Sequence, residues 1–365
     1  MTSLEKAETS ALPLDRADLI SLLALPAGEE TDRLFAAARR KRDSLLGNKV
    51  YFRGLVELSN VCVKNCSYCG IRRDNRKVER YTMSDDEIVA CAVRAWEMGL
   101  GSAVLQSGER SDPAFIELIE RVLRRIVSET GGQLGITLSL GEQSEETYRR
   151  WREAGAKRYL LRIEEADPAL YAELHPADHS WTARRDCLLL LQKCGYQTGT
   201  GVMCGLPGQT LDHLAGDLLF MKEIDADMIG MGPYLPHPDT PLASRFPDFE
   251  EKRTELLFLG LKMIACARLL MPDVNIASTT ALQTLRPDGR ELGLLAGANV
   301  IMPNVGSESR KKNYRLYTGK PDSEDSPETV LARLRTAIES IGCGIMLREQ
   351  GDPRHYFART DRADR

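Results

Sequence analysis

The chain has 365 residues, of which 42% are hydrophobic and 28% are charged, a composition typical of globular proteins. Its net charge of −4 and its pI near 5.9 indicate no basic field for nucleic acid or an anionic membrane. The N-terminal segment carries early acidic residues and no signal-like apolar run, and no stretch reaches the roughly 18–20 apolar residues of a spanning helix. These features predict a cytoplasmic protein that binds neither nucleic acid nor a membrane.

Two helical patterns, at about 15–25 and 29–47, predict a helical extension over residues 1–49. From residue 50 onward, short β-rich runs alternate with helical patterns, which is typical of a parallel sheet with crossover helices. The predicted strands are 52–58, 102–106, 133–138, 157–163, 196–203, 227–231, 274–278 and 298–302. The predicted helices between them are 84–99, 112–129, 144–154, 181–194, 210–223 and 250–270.

Eight such repeats predict an α/β fold, a complete (βα)8 TIM-type barrel over residues 50–320, with its active site at the C-terminal ends of the strands. A capping box at Ser84 and Glu87 supports one helix start, and Gly155, Gly195 and Gly297 stand where helices are expected to end before strands. Residues 321–365 are predicted to form a short C-terminal extension. It comprises a polar linker, a helix at 327–341 and a charged, solvated tail.

Three of the nine cysteines, Cys62, Cys66 and Cys69, form a C-x3-C-x2-C pattern directly after the first predicted strand. Thiolates are the ligands of iron–sulfur clusters, and a loop with three of them leaves the fourth iron of a cubane open to a chelating small molecule. The alternative is a zinc loop, although no histidine has conventional zinc-finger spacing to the triad. The nominal fourth zinc ligands are His175, His179, His213 and His237. The remaining cysteines are predicted to be core thiols, namely Cys91, Cys187, Cys194, Cys204, Cys266 and Cys343.

Polar residues recur at the ends of five predicted strands. They lie in the segments 106–109, 139–142, 162–164, 279–280 and 303–304. One such residue would usually be satisfied by a local hydrogen bond. Their recurrence around one end of a barrel indicates a ligand site at its mouth.

Together these segments resemble the radical SAM (S-adenosylmethionine) superfamily and, within it, the HydE family of [FeFe]-hydrogenase maturases. The cysteine pattern is typical of the superfamily. The resemblance to HydE extends over residues 50–320 and rests on ELSNVCVKNCSYCGIRRDN, VLQSGE, TLSLGE, RYLLR, GVMCGLPGQT, GPYLPHPDTPLA, ASTTAL, ANVIMPN and YRLYTGK. GLPGQT also occurs in biotin synthase and the pyrrolysine-pathway mutase, whereas GPYLPHPDTPLA together with ANVIMPN is more specific to HydE.

The resemblance implies an enzyme in which the three cysteines hold a [4Fe–4S] cluster and SAM is reductively cleaved to a 5′-deoxyadenosyl radical. The implied SAM-binding residues are Tyr68, Gln106, Ser107, Ser139, Glu164, Arg184 and Met203. In this assignment Glu164 accepts hydrogen bonds from SAM and Arg184 pairs with its carboxylate; the structural alternative is an ion pair at the barrel rim.

The resemblance also implies a second, substrate-binding region, which lies deeper in the barrel than SAM. The residues implied there are Arg162, Thr279, Thr280, Tyr314 and Tyr317, of which Arg162 and Tyr314 are predicted to be catalytic together with the cysteines. Arg162 would hold an anionic or cyanide-bearing group. The alternative for the two tyrosines is that they only seal the barrel.

A HydE-type enzyme would act on a cysteine-bound Fe(CO)2(CN) precursor supplied by HydG, deliver a diiron precursor to HydF, and need a ferredoxin- or flavodoxin-type one-electron reductant. Two alternatives remain open. One is a HydE-like homologue or a carbon-skeleton mutase similar to methylornithine synthase, acting on another small thiol or amino acid. The other is a non-catalytic iron–sulfur or zinc protein.

The sequence departs from the HydE pattern in two places. The segment after YRLYTGK has no cysteine and only Cys343 follows, which predicts no accessory second cluster. Ile163 stands where the family often has histidine, and Glu165 where a small polar residue is common. Both flank predicted ligand-binding residues, so the departures concern the identity of the substrate more than the cleavage of SAM.

Overall fold

The structure, a computed structural model, describes residues 1–9, 12–306, 312–319 and 325–363. Three helices precede the barrel: α1 (Ser3–Thr9), α2 (Arg16–Leu23) and α3 (Glu29–Leu46). The last two confirm the predicted N-terminal helices. The seven residues of α1 are too few to show a helical period in the sequence.

Eleven strands follow in the described part of the chain. They are β1 (Lys49–Ser59), β2 (Ser102–Ser107), β3 (Gly135–Ser139), β4 (Ala156–Leu160), β5 (Gln197–Thr200), β6 (Met203–Cys204), β7 (Met228–Ile229), β8 (Gly232–Pro233), β9 (Asn275–Ser278), β10 (Val300–Ile301) and β11 (Gly344–Met346). Eight of them, all but β6, β8 and β11, lie side by side in chain order and run parallel. Pairing of Tyr51 with Val300 joins β1 to β10 and closes the predicted (βα)8 barrel.

The remaining helices lie between and after the strands. They are α4 (Asp85–Glu97), α5 (Pro113–Glu129), α6 (Glu145–Glu153), α7 (Pro168–Leu174), α8 (Trp181–Lys193), α9 (Leu211–Glu223), α10 (Phe249–Leu270), α11 (Thr280–Leu285), α12 (Gly289–Leu295), α13 (Pro327–Ser340) and α14 (Arg354–Ala363). All six predicted crossover helices are confirmed, as is the Ser84–Glu87 capping box. The short helices α7, α11 and α12 were not predicted. None of the helices in the described ranges has the length and apolarity that crossing a membrane requires.

The two predicted strands 196–203 and 227–231 are each divided by a glycine. Gly201 follows β5 and Gly230 follows β7, and a Cβ atom on Gly201 would lie 2.1 Å from the Gly230 carbonyl oxygen. The two backbones therefore approach more closely here than side chains would allow. Beyond this point β6 and β8 pair with each other in a separate two-stranded sheet.

The scattered cysteines are core residues, as predicted. Cys91, Cys194, Cys204, Cys266 and Cys343 are buried, and Cys187 is half-buried. Burial raises the pKa of the Cys204 and Cys266 thiols to about 12, which keeps them protonated and unreactive.

The C-terminal segment closes the bottom of the barrel. Strand β11 pairs with the start of β1, and the Gly351 carbonyl accepts hydrogen bonds from Arg53 Nη2 at 3.2 Å and Asn275 Nδ2 at 2.8 Å inside the barrel. The barrel strands begin at this end with backbone and polar groups that water would otherwise reach. The segment therefore acts as a plug.

Helix α14 packs against the barrel through charged groups. His355 lies between Asp273 and Asp225, at 3.0 and 2.8 Å, and Arg359 donates to the fully buried Asp227 at 2.7 Å. The prediction of a solvated tail is therefore wrong for this helix. Its mainly polar sequence did not reveal that its cations pair with carboxylates from distant parts of the chain. Residues 320–324 of the predicted linker lie outside the described residues.

We expect His355→Gln to lower the free energy of unfolding near pH 6 and to have less effect near pH 9. Hydrogen bonding to Asp273 raises the pKa of His355 above its usual range. Its contribution is therefore complete below the unfolded pKa and lost as the pH rises through the folded pKa. After allowance for solvent around the carboxylates, the loss near pH 6 is on the order of 1 kcal/mol. Urea denaturation at the two pH values measures it; equal losses at both would contradict the assignment.

Candidate active site

The three cysteines of the motif lie in a loop that runs from the end of β1 to the start of α4. One guanidinium organises this loop from within. Arg80 donates to the carbonyl oxygens of Asn60 at 2.6 Å, Ile71 at 2.7 Å and Arg72 at 2.6 Å. These hydrogen bonds hold both sides of the loop together, so the cysteines are presented by a fixed backbone.

Cys62, Cys66 and Cys69 are all half-buried free thiols. Burial raises the pKa of each, to about 12 for Cys66, and neighbouring thiolates would raise one another's pKa further because they repel. The Glu109 N–H donates to Cys62 Sγ at 3.3 Å and so favours the thiolate. Three close thiols with such donors need a positively charged partner to ionise, and iron in a cluster supplies it.

No three His, Cys, Asp or Glu side chains in the described part of the chain are grouped tightly enough to hold a single metal ion. The thiolates of a cubane cluster bind three different irons. Their sulfur atoms therefore surround a larger volume than the ligands of one ion do.

Tyr68, between the last two cysteines, is anchored by a histidine. Its hydroxyl lies 3.0 Å from His175 Nε2, while His175 Nδ1 lies 2.8 Å from the Tyr171 carbonyl oxygen. Burial lowers the pKa of His175 to about 3, so the ring is neutral. Nδ1 then donates to Tyr171, and Nε2 accepts the proton of the Tyr68 hydroxyl. The adjacent Ser67 N–H donates to Leu174 at 3.0 Å, so the end of α7 fixes the cysteine loop.

The segment after β4 brings two predicted site residues together. Glu164 has φ +69°, a left-handed conformation that costs a non-glycine residue roughly 1–2 kcal/mol. Its N–H donates to Gly201 and its carbonyl accepts from Met203, both at 3.0 Å. These two hydrogen bonds hold the strained backbone against the split strands. Arg162 Nη2 lies 3.0 Å from Glu164 Oε2.

Several polar atoms at the barrel mouth are left for a ligand. Within the described residues, Arg162 Nε, Glu164 Oε2 and Thr279 Oγ1 are buried and have no hydrogen-bond partner; the Arg162–Glu164 contact is close but lacks hydrogen-bond geometry. Buried polar atoms are rarely left unpaired, because each costs free energy on the order of 1–3 kcal/mol. The arrangement fits a polar, partly charged ligand such as SAM.

Arg184, predicted to pair with a SAM carboxylate, is part of an ion-pair network at the rim. Its Nη1 donates to Glu109 at 2.9 Å and to Glu142 at 3.0 Å. Lys64 from the cysteine loop contacts the same two carboxylates, at 3.3 and 3.1 Å. The structure thus places Arg184 in the ion pair that was the structural alternative. Its contact with SAM stays a prediction.

Other predicted SAM-binding residues lie on neighbouring strands. Gln106 of β2 pairs with Glu57 of β1 and with Ser139 of β3, so these three positions form a row at the barrel mouth. Met203 is buried on β6. The Ser107 hydroxyl instead donates to the Gly108 carbonyl at 2.6 Å, which leaves only its lone pairs for a ligand.

The predicted substrate residues meet a second guanidinium that was not predicted. Arg290 on α12 is buried and donates to Thr280 Oγ1 at 2.9 Å. Burial raises the pKa of Tyr317 to about 12, and Glu57, Arg290 and Arg162 act on this pKa electrostatically. A hydrogen bond between the Tyr317 and Thr284 side chains lowers this pKa, so the Tyr317 hydroxyl already has a partner.

Tyr314 lies in a segment that is hydrogen-bonded to the cysteine loop through the Asn313 and Leu316 carbonyl groups. It is only 1% exposed, and burial raises its pKa, with further contributions from Glu57 and Cys69. Tyr314 is therefore within electrostatic reach of Glu57 and the cysteines, and Tyr317 within that of Glu57, Arg290 and Arg162.

A small cavity of about 20 Å³ lies inside the barrel. Its wall includes Arg53, Thr137, Asn275 and Met302. Arg53 Nε and Thr137 Oγ1 are buried without a hydrogen-bond partner among the described residues. The cavity therefore has room for about one water molecule, which would reach these two polar atoms.

Four residues that shape the site were not predicted: Glu57, Arg80, His175 and Arg290. Glu57 could have been recognised as a site residue, because it is the single charged residue in the apolar strand segment GLVEL. His175 was considered only as a zinc ligand. The two arginines gave no local signal, because charged residues in loops and short helices usually face solvent.

Comparisons with known proteins agree with this geometry. The family model of the Radical SAM superfamily matches residues 56–221. The chain is 48% identical over 311 residues to the [FeFe] hydrogenase maturase subunit HydE of Thermotoga maritima, covering 85% of this chain and 86% of that protein. It is 29% identical to a 3-methylornithine synthase of Methanosarcina acetivorans, covering 87% of each.

The fold is shared with a solved structure. The crystal structure of methylornithine synthase (PylB) superposes with a TM-score of 0.79 and 26% identity, covering 95% of this chain and 98% of that one. Sequence and fold agree over nearly the full length of these relatives. The chain therefore belongs to the radical SAM superfamily and, within it, to the family of the [FeFe] hydrogenase maturase HydE.

Proposed function

We propose that this protein is a HydE-type maturase, a radical SAM enzyme that acts on a cysteine-bound Fe(CO)2(CN) precursor of the hydrogenase cofactor. The observation that carries the proposal is the loop of three thiols near the Arg162–Glu164 ion pair, which keeps buried atoms without hydrogen-bond partners, at the mouth of a closed barrel in a chain 48% identical to HydE.

Cys62, Cys66 and Cys69 would hold the [4Fe–4S] cluster. When bound, the cluster and SAM supply reductive cleavage of the SAM sulfonium bond, which yields methionine and a 5′-deoxyadenosyl radical. The protein's part is to position SAM and exclude water. Arg80 and α7 keep the cysteine loop fixed for this purpose.

SAM would lie between the cysteine loop and the ends of β2 to β6. Glu164 Oε2 is free to accept hydrogen bonds from it, and Tyr68, held by His175, would line the adenine side. Gln106, Ser107, Ser139 and Met203 would complete the wall. Arg184 would reach the SAM carboxylate by exchanging one of its two glutamate partners, which costs little if Lys64 keeps those carboxylates compensated.

The substrate would occupy the arginine-lined end. Arg162 and Arg290 would hold anionic groups bidentately, the free Thr279 hydroxyl would donate a hydrogen bond, and Thr280 would keep Arg290 in place. The raised pKa values of Tyr314 and Tyr317 keep both hydroxyls protonated. Because Tyr314 lies next to the cysteine loop, it is the residue best placed to act near the reacting atoms.

Further parts of the proposal rest on the family alone. They are a ferredoxin- or flavodoxin-type reductant and exchange of precursors with HydG and HydF. From the sequence itself we propose a cytoplasmic location and, because no cysteine follows YRLYTGK except Cys343, one cluster per chain. The alternative with specific support is a homologue acting on another small thiol or amino acid, since Ile163 and Glu165 depart from the HydE pattern and the fold is also that of methylornithine synthase.

We expect Cys66→Ala to lose bound iron and all formation of 5′-deoxyadenosine, because two thiolates do not hold a cubane. The matched control, Cys343→Ala, removes a buried cysteine far from the loop and should keep both. Iron analysis after anaerobic reconstitution, with about four irons per wild-type chain expected, and assay of deoxyadenosine with dithionite measure this. Full activity of the Cys66 variant would refute the cluster assignment.

Glu164→Gln is expected to weaken SAM binding by about tenfold or more, because a charge-assisted hydrogen bond contributes roughly 1.5–3 kcal/mol. Iron content should not change. Glu146→Gln, which alters an exposed carboxylate on α6, is the control. SAM titration of the cluster's EPR signal gives the dissociation constants; equal values for both variants would remove Glu164 from the SAM site.

The maturase role predicts that the wild-type protein restores hydrogenase activity to a maturation mixture from which only HydE is missing. A preparation that cleaves SAM but does not restore activity would favour the homologue with another substrate. A preparation that binds the cluster but never forms deoxyadenosine would remove the enzymatic function altogether.

A further inference from the structure

Directly behind Glu164 lie two carboxyl groups that the proposed function does not use. The side chain of Glu165, the next residue, points away from the barrel mouth and meets Asp217 of α9. Both residues are fully buried, with exposures of 0%. Two acidic side chains in such surroundings are unusual, because burial disfavours the charged form of each.

Hydrogen bonds surround this pair and connect three segments. Glu165 Oε1 accepts from the Asp167 N–H, and its Oε2 accepts from Gln209 Nε2, both at 2.9 Å. Asp217 Oδ1 accepts from the Ala166 N–H at 2.8 Å. The residues on either side of Glu165 are thereby tied to α9 and to the loop after β6.

Gln209 links the pair to the split strands. Its Oε1 accepts from the Gly205 N–H at 2.8 Å, and its Nε2 also donates to the Met203 carbonyl at 3.1 Å. Met203 in turn donates to the Glu164 carbonyl. The backbone of Glu164 is therefore enclosed by one continuous network.

The network is complete only if the two carboxyl groups share a proton. Gln209 Nε2 lies 2.9 Å from Glu165 Oε2 and 3.4 Å from Asp217 Oδ2, so the two carboxyl groups are neighbours. We place the shared proton on Asp217, because both oxygens of Glu165 already accept hydrogen bonds from N–H groups. In agreement, burial and the neighbouring Glu165 raise the pKa of Asp217 well above its usual range, and burial raises that of Glu165. Without this proton two carboxylates would face each other in a site that excludes water.

We propose that the hydrogen-bonded Glu165–Asp217 pair, the carboxyl clamp, positions Glu164 for SAM by holding its backbone in the left-handed conformation. The clamp is a positioning device, since neither carboxyl group reaches the barrel mouth. It rests on the proposed function in one respect, namely that Glu164 contacts SAM. Glu165, one of the departures from the HydE pattern, thereby acts on the cofactor side of the site.

The clamp makes SAM binding dependent on pH in a defined direction. The other titratable groups that face it are Asp167 at the start of α7, His213 one turn earlier on α9, and Cys204 on β6. Because the folded-state pKa of Asp217 is raised, the clamp is intact at low pH and loses its proton as the pH rises through that value. SAM binding is therefore expected to weaken as the pH rises.

Asp217→Asn is the decisive variant. Its amide Nδ2 can donate to Glu165 in place of the proton, and its Oδ1 can still accept from Ala166, so the network persists without a titratable group. With the reconstituted holoenzyme we expect SAM dissociation constants within about twofold of wild type at pH 7. As the pH is raised from 7 through the folded-state pKa of Asp217, the wild-type constant should rise about tenfold more than that of the variant, which corresponds to one unit of pKa linkage. Titration of SAM itself and of other groups affects both proteins and cancels in the ratio.

Glu165→Ala supplies the second measurement. It leaves Asp217 without its partner and should weaken SAM binding about tenfold at pH 7 with iron content retained; if it does not fold, the comparison of wild type with Asp217→Asn decides alone. Identical pH profiles for wild type and Asp217→Asn would overturn the clamp. That result is distinct from failure of the proposed function, which would appear as absence of deoxyadenosine from the wild-type enzyme at every pH.

Discussion

Closure of the barrel by the short pairing between β1 and β10 is the constraint on which the other features depend. Parallel strands closed in chain order bring all their carboxyl ends to one rim. The cysteine loop after β1, the glutamates after β2 and β3, the Arg162–Glu164 segment after β4 and the threonines after β9 are far apart in the chain, and they meet only because the sheet has no edges. Tyr51 and Val300 have no role in the reaction, yet their pairing closes the barrel and so brings the ligand-binding residues together.

Many charged side chains lie at the rim, where water is partly excluded. They are compensated by contacts of different kinds. Lys64, Arg184, Glu109 and Glu142 compensate one another in a network that can exchange partners. Arg80 is satisfied by carbonyl groups of the loop that it organises. Arg162 and Glu164 retain unpaired atoms, which is the energetic signature of a site built for a ligand. The distinction between satisfied and unsatisfied polar groups separates the residues that build the loop from those left to bind SAM or substrate.

The residues packed behind the site are also either satisfied or protonated in a fixed way. His175 is kept neutral by burial and therefore accepts from Tyr68, whereas the Glu165–Asp217 pair is kept half-protonated and therefore holds the loop of Glu164. At the opposite end, the C-terminal segment fills the bottom of the barrel and α14 supplies cations to Asp225, Asp227 and Asp273. Function at the mouth thus depends on charge compensation well outside it.

Much of this protein could be predicted from local pattern. Apolar periodicity and capping residues placed the eight barrel strands and the six long helices, since those signals depend on neighbours within a few residues. The spacing of Cys62, Cys66 and Cys69 was sufficient for the iron–sulfur prediction, because ligands within one loop need no knowledge of the rest of the chain. Short helices such as α7 and α12 were missed because fewer than two turns show no period.

The contacts that tune the site were decided only by the folded chain. Tyr68 and His175 are 107 positions apart, Glu165 and Gln209 are 44 apart, and His355 and Asp225 are 130 apart. Arg80 and Arg184 resemble solvent-exposed charges until the fold surrounds them with carbonyl and carboxylate oxygens, and Arg290 does so until the fold buries it beside the Thr280 hydroxyl. Whether a polar side chain is solvated, satisfied or left for a ligand is a property of its three-dimensional neighbours, and sequence pattern carries no information about neighbours so distant along the chain.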